Sequence, residues 1–135
     1  MLRSEILTRF EKHGILSTPQ RLEIAEILLE KPQHLSADQI IEVLRDKGSK
    51  VSKATVYNSL NLFGEKGLVT ECQVDPQRRF YDSTPTPHHH FYNVDTHELV
   101  DISVDAVAID GIPELPAGTQ LESAELIVRV RSSAD

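Results

Sequence analysis

Four apolar stretches at helical spacing fill the first half of the chain, and the residues around them start and stop helices. Leu2, Ile6, Leu7 and Phe10 define the first, over Met1 to Lys12, which Gly14 ends. Thr18 followed by Pro19 reads as a cap and first helical position, opening a segment striped by Leu22, Ala25, Leu28 and Leu29 that ends near Lys31-Pro32. Ser36 with Gln39 three residues on is a capping box for a third helix, buried through Ile40, Ile41 and Leu44 and ended by Gly48. Ser52 caps a fourth, with Val56, Leu60 and Phe63 inward and Gly64 and Gly67 closing it. A run of β-formers from Leu68 to Val74, an Asp75-Pro76 turn and a return strand Arg79 to Asp82 complete the series. Helices followed by a hairpin in this order predict a winged helix-turn-helix.

Ser83-Thr84-Pro85-Thr86-Pro87 is short, polar and stiffened by proline, a hinge at 83–87 between a unit at 1–82 and another at 88–135. Beyond it, His88 to Val94 and Glu98 to Val104 read as paired strands around Asp95-Thr96. Ala124, Leu126, Val128 and Val130 alternate with Glu125, Ile127, Arg129 and Arg131, a strand with one buried face. The expected class is α+β, a winged helix joined to a small α/β or mainly β domain. Charge divides the same way. Through Thr84 there are 12 Lys+Arg against 12 Asp+Glu, and from Pro85 onward 2 against 9, so the net −7 belongs to the last third. An acidic total is compatible with a nucleic-acid partner when a basic face is confined to the other domain.

No apolar run approaches the ~20 residues needed to span a bilayer, and no signal-like segment follows Met1, so a cytoplasmic protein without a membrane partner is expected. The single cysteine, Cys72, excludes a disulfide framework or a CxxC zinc cluster within the chain.

The fourth helix carries Ser52, Lys53, Thr55, Asn58 and Asn61 on its N-terminal half and outer face, with Tyr57 beside them, as a recognition helix requires. The wing turn adds Gln77, Arg78 and Arg79. A solvated amphipathic helix is the alternative. The segments TPQR at Thr18 to Arg21, HLSADQI at His34 to Ile40, ATVYNSLNLF at Ala54 to Phe63 and GLV at Gly67 to Val69 resemble the DNA-binding half of the ferric uptake regulator superfamily in order and spacing. The resemblance implies that Ser52, Tyr57 and Asn58 face bases and phosphates and that Arg21 anchors the DNA backbone. Lys53, Thr55 and Arg78 complete the expected DNA-binding set. A departure stands at Leu16, where many members carry a basic residue for minor-groove contact.

Asp82, His88 and His90 stand in a D-x5-H-x-H pattern, and two histidines two apart on a strand share a face, an arrangement that invites a metal. Asp101 on the facing strand and His34 before the third helix extend the set to three histidines and two carboxylates, which suits Fe²⁺ or Mn²⁺, with Zn²⁺ as a surrogate. A surface histidine cluster is the alternative. The spacing of His34, Asp82, His88, His90 and Asp101 resembles the regulatory site of PerR-type members. His89 should point away, either into solvent or into a degenerate second site whose acidic partner is replaced by Ala108. His97 and His13 read as ordinary surface residues. Typical members carry two CxxC pairs for a structural zinc. Their absence, with HHHFY, ELVDI and the ending LPAGTQLESAELIVRVR, resembles the Irr branch, so no structural zinc is expected. Cys72 is followed by Gln73, so a Cys-Pro haem motif is absent, and the histidine triplet is the remaining haem route.

The resemblance therefore implies a homodimeric, metal-dependent repressor of iron, manganese or peroxide-stress genes on double-stranded palindromic operator DNA. Three alternatives remain at this point: a haem-responsive regulator of the Irr type, a small non-haem metalloenzyme, and a metal-independent interaction module.

Overall fold

Burial of one face of each helix organises the first half of the molecule. The computed structural model describes residues 1–75, 77–84 and 88–134, except for the Asp75 side chain. The chain divides into two compact units, Met1–Pro85 and Thr86–Asp135. The first holds α1 (Arg3–Lys12), α2 (Pro19–Leu28), β1 (His34–Ser36), α3 (Ala37–Asp46), α4 (Lys53–Glu65), β2 (Thr70–Asp75) and β3 (Arg78–Asp82). The second holds β4 (His89–Asn93), β5 (Leu99–Ile102), a 3₁₀ turn at Val104–Ala106 and β6 (Ile127–Val130). This is the α+β class, with a winged helix first and a mainly β unit after it. No helix among the described residues is long and apolar enough to cross a membrane.

The caps form as their side chains dictate. Thr18 Oγ1 accepts the Arg21 N–H at 3.1 Å, and the Ser36–Gln39 box closes with bonds of 3.2 and 2.8 Å. Ser52 Oγ accepts the Thr55 N–H at 3.2 Å. At the far end of α4 only Gly67 acts as the stop. It adopts φ +76°, and the Leu68 N–H reaches back to the Phe63 carbonyl at 2.9 Å, while Gly64 lies within the last turn. Ile6, Phe10, Ile24, Leu28, Ile40, Leu44, Val56, Leu60 and Phe63 are almost wholly buried, each worth about 1.5–3 kcal/mol of transfer free energy. Phe10 and Phe63 join α1 to α4, with ring centroids 5.5 Å apart.

Several elements differ from expectation. Helix α2 stops at Leu28: Pro32 has no N–H for the Leu28 carbonyl, and Gln33 Nε2 instead donates to the carbonyls of Ile27 and Leu28 at 2.9 and 3.2 Å. His34–Ser36 forms a strand, giving the sheet order β1-β3-β2 with β3 central. Of the expected hinge, Ser83 donates its N–H to the Gln33 carbonyl at 2.9 Å and Thr84 donates to Asp82 Oδ1 at 2.8 Å. Pro85, Thr86 and Pro87 lie outside the described residues.

In the second unit β4 is central, antiparallel to β5 and parallel to β6. The β4–β5 strands are shorter than expected, because the turn closes at Asn93, whose N–H bonds the Glu98 carbonyl at 2.9 Å and whose carbonyl accepts the His97 N–H at 2.8 Å. Asn93 Oδ1 accepts the N–H groups of Asp95 and Thr96, and the turn ends on His97 at φ 64°. The buried face expected of the last strand is absent within one chain: Val128 is half-buried and Val130 is exposed. Tyr92, Leu99 and Ile102 are its buried apolar side chains among the described residues, while Phe91, Val100, Ile112 and Leu121 are 42–55% exposed.

Truncating Leu60 to Ala should leave a cavity between α4 and its neighbours and lower stability by about 2–5 kcal/mol. Gly67→Ala meets no steric obstacle closer than His13 Nδ1 at 3.9 Å, so its cost of about 1–2 kcal/mol is that of the left-handed backbone alone. Guanidinium unfolding of both variants checks the difference.

Candidate metal centre and nucleic-acid interface

Strand register in the second unit sets three metal-binding side chains against one another. The β4–β5 ladder makes His90 and Asp101 direct partners, and His88, two residues before His90, shares its face. His88 Nε2 lies 3.1 Å and His90 Nε2 3.4 Å from the same Asp101 Oδ1, with the imidazole centroids 4.6 Å apart. Their donor atoms all fall within 4.8 Å of one another. Donors held about 2.1 Å from one ion at angles near 90–110° stand about 3.0–3.4 Å apart, so the set fits a first-row divalent cation. Buried imidazoles and a half-exposed carboxylate also leave one side accessible.

His89 departs from one of its expected placements: it is not in solvent. Strand alternation turns it away from its neighbours, and its Nδ1 accepts the Leu126 N–H at 2.9 Å, so at 6% exposure it fastens the approach to β6 onto β4. His13 and His97 also have structural partners. His13 Nδ1 lies 3.0 Å from the Lys66 carbonyl at the end of α4, and His97 Nδ1 lies 3.0 Å from the Tyr92 hydroxyl.

In the first unit the same device joins the remaining two expected ligands. The β1–β3 ladder makes His34 and Asp82 direct partners. Asp82 is buried and accepts from Thr84, while His34 is half-buried with its ring edge-on to Phe80. Each unit thus carries an imidazole–carboxylate pair placed by antiparallel register.

The expected DNA-binding residues gather on the same unit. Ser52, Lys53, Tyr57 and Asn58 are exposed on α4 and Thr55 is half-buried, while Val56, Ser59, Leu60 and Phe63 form the opposite, buried face. No acidic residue occupies the first turn of α4, so its N-terminal dipole is left open to an anion. In the wing, Arg78 is exposed, and Arg79 Nε pairs with Glu71 at 3.2 Å. Arg21 is half-buried and donates one guanidinium N–H to the Leu16 carbonyl at 2.6 Å, beneath a Leu16 side chain that is 79% exposed.

Two contacts here had no signature in the sequence. Tyr81, buried in β3, donates to Asn61 Oδ1 on α4 at 3.4 Å, and Tyr57 donates to Asp38 Oδ1 on α3 at 3.2 Å. Burial, then the Glu71 carboxylate, push the Tyr81 hydroxyl above its usual pKa against the pull of Arg79. These side chains line a cleft of about 310 Å³ between α3, α4 and the wing. Hydrogen bonds between residues about twenty apart on different elements leave no periodic trace, so only the folded chain reveals them.

Known proteins share this architecture. The chain is 33% identical over 113 residues to the peroxide operon regulator of Bacillus subtilis, an alignment covering 84% of this chain and 77% of that one. The ferric uptake regulator of Vibrio cholerae superposes with a TM-score of 0.74 at 27% identity, over 93% of this chain and 98% of that one; that structure is described as showing a rearrangement of its DNA-binding domains. The Pseudomonas aeruginosa ferric uptake regulator, solved with manganese, superposes with a TM-score of 0.70 at 25% identity over 98% of both chains. The family profile described as "Ferric uptake regulator family" matches residues 12–129, and the chain belongs to that family.

Proposed function

We propose that this chain is a metal-dependent, DNA-binding transcriptional repressor in which α4 reads the major groove and a divalent ion governs operator affinity. The observation that carries it is the convergence of His88 and His90 on Asp101 at 3.1 and 3.4 Å in a member of a family of metal-dependent regulators. Fe²⁺ or Mn²⁺ suits a set of imidazoles and carboxylates without thiolates, with Zn²⁺ as a surrogate. Manganese in the similar Pseudomonas structure supports the choice.

His34 and Asp82 complete the ligand set in this reading, carried by the winged-helix domain at 1–82, with the sensing domain at 88–135 and 83–87 as the hinge. A divalent ion would be held by His88, His90 and Asp101, with His34 and Asp82 as the ligands this reading adds, and would supply a positive centre for their donors. His34 and Asp82 lie on β1 and β3, strands that pack against α3, and α3 packs on α4 while Tyr81 of β3 bonds Asn61 of α4, so restraint applied to the two strands reaches the recognition helix. A coupling of about 3 kcal/mol corresponds to roughly a hundredfold change in operator affinity. On α4, Lys53 and the N-cap Ser52 are placed for phosphate, and Tyr57 and Asn58 for base edges. Arg21 retains guanidinium donors beyond the one bonded to Leu16, and Arg78 extends the contact along the wing.

The partner of the second domain is another copy. Its exposed Phe91, Val100, Ile112 and Leu121 are the apolar side chains offered to that interface. A two-fold dimer would present two recognition helices to a palindrome. With one cysteine per chain, the protein fits a branch that dispenses with cysteine-held zinc, like the Irr members, which it resembles in its missing CxxC pairs. Membership of a family of regulators favours this reading over a metalloenzyme.

Asp101→Ala should weaken Mn²⁺ binding at least about tenfold by isothermal titration calorimetry, as losing an anionic ligand implies; unchanged affinity would place the centre elsewhere. His34→Ala separates bridging from simple binding. Operator affinity at fixed salt should lose its dependence on Mn²⁺ or Fe²⁺, and a variant that kept both metal affinity and metal-dependent DNA binding would refute the shared site.

A further inference from the structure

Tyr57 stands 44% exposed on the outer face of α4, yet its hydroxyl is not directed only to solvent. It donates at 3.2 Å to Oδ1 of Asp38, the second residue of α3. A phenol has one proton to donate. We infer that Asp38 is a positioning and specificity-determining residue for DNA reading: by accepting the Tyr57 O–H hydrogen bond, it presents the phenol oxygen to the major groove as an acceptor only, which selects a base whose amino group lies on its major-groove edge, adenine or cytosine. This rests on the reading of α4 as a recognition helix.

The chemistry follows from the groove itself. Adenine N6 and cytosine N4 are the major-groove donors, whereas guanine offers O6 and N7 and thymine O4, all acceptors. An oxygen whose proton is committed to Asp38 complements the first pair and meets the second lone pair to lone pair. Phosphate oxygens, being acceptors, are refused in the same way, so the contact carries sequence information rather than general affinity. The Asp38 carboxylate adds negative charge on the same side and strengthens the preference for a donor. Position supports the role as well. Asp38 and Tyr57 line the cleft shared with Asn61, Arg78, Arg79 and Tyr81, and Asp38 lies in the first turn of α3, where the helix dipole favours a carboxylate. The Tyr57 hydroxyl is held protonated at neutral pH. Burial first, then the bond to Asp38 and its charge, push its pKa above the usual 10.0.

The test is selection of operators from a random duplex library by the Mn²⁺-loaded full chain, in wild type and in Tyr57→Phe, Asp38→Ala and Asp38→Asn forms, followed by affinity measurements at fixed salt. One position per half-site should show adenine or cytosine in the wild type and lose that preference in Tyr57→Phe. At that position a base without a major-groove amino group should cost the wild type roughly five- to tenfold, within the usual range for one mismatched pair, and cost Asp38→Ala less than about twofold. Asp38→Asn keeps an amide oxygen that can accept the same bond, so it should keep the preference while losing the charge. Identical selected sequences and affinities in all four proteins would overturn the inference, as would Asp38→Asn behaving like Asp38→Ala. Enrichment of no sequence by the wild type would overturn the DNA-binding reading itself and this inference with it. Absorbance titration gives an independent readout: the tyrosine signal missing from Tyr57→Phe should move to lower pH in Asp38→Ala, and no movement means that the bond is not made in solution.

Discussion

Antiparallel register is the constraint on which both halves of the molecule depend. In each unit a strand pair places an imidazole directly across from a carboxylate: His34 against Asp82 on β1 and β3, and His90 against Asp101 on β4 and β5. Because side chains alternate with period two, slipping either ladder by one residue would send one donor of each pair to the opposite face. The surrounding structure holds the registers. Ser83 and Gln33 exchange bonds beyond the end of the β1–β3 ladder, and the Asn93 side chain fixes the turn between β4 and β5. The two imidazole–carboxylate pairs, His34 with Asp82 and His90 with Asp101, are therefore consequences of backbone pairing, while His88 stands just before β4.

Where the information is local, it can be read directly from the chain. Thr18, Ser36 with Gln39, and Ser52 mark helix starts because each bonds an N–H three residues away, and the apolar stripes of α1 to α4 name the core. The pair His88 and His90 is equally legible, since extended residues two apart share a face, and His88, although it lies just before β4, meets the same Asp101 oxygen as His90. What escapes is set by distant partners. Strand β1 is three residues long and exists because β3 offers it an edge; the end of α2 depends on Gln33; and His89 is buried because a parallel strand arrives from far along the chain. The bond from Tyr57 to Asp38 belongs to the same class, since it depends on how α3 and α4 pack.

The electrostatic division of the sequence gains a physical meaning from the fold. The first unit is neutral overall, exposes Lys53 at the start of α4 and Arg78 in the wing, and leaves the first turn of α4 without an acidic residue. The excess negative charge lies in the second unit, much of it along the exposed stretch that leads to β6. Like charge with DNA keeps such a unit off the duplex. The division of charge thus favours approach of a polyanion to the first unit.

Strand β6 reaches β4 only after the long irregular stretch between Ile102 and Ile127, and it pairs in parallel. Closing so long a loop has an entropic cost that the local β4–β5 hairpin avoids, so the hairpin forms first and β6 joins an already built edge. Its attachment runs over four residue pairs, from His90 opposite Ile127 to Asn93 opposite Val130, flanked by bonds from the His90 and Val94 N–H groups to the Leu126 and Val130 carbonyls at 3.1 and 2.9 Å and by the hold of His89 on the Leu126 N–H. Until β6 arrives, β4 presents an open edge that accepts the same segment from any copy of the chain. The order of assembly makes strand exchange between copies a competitor of intramolecular closure, decided by protein concentration during folding.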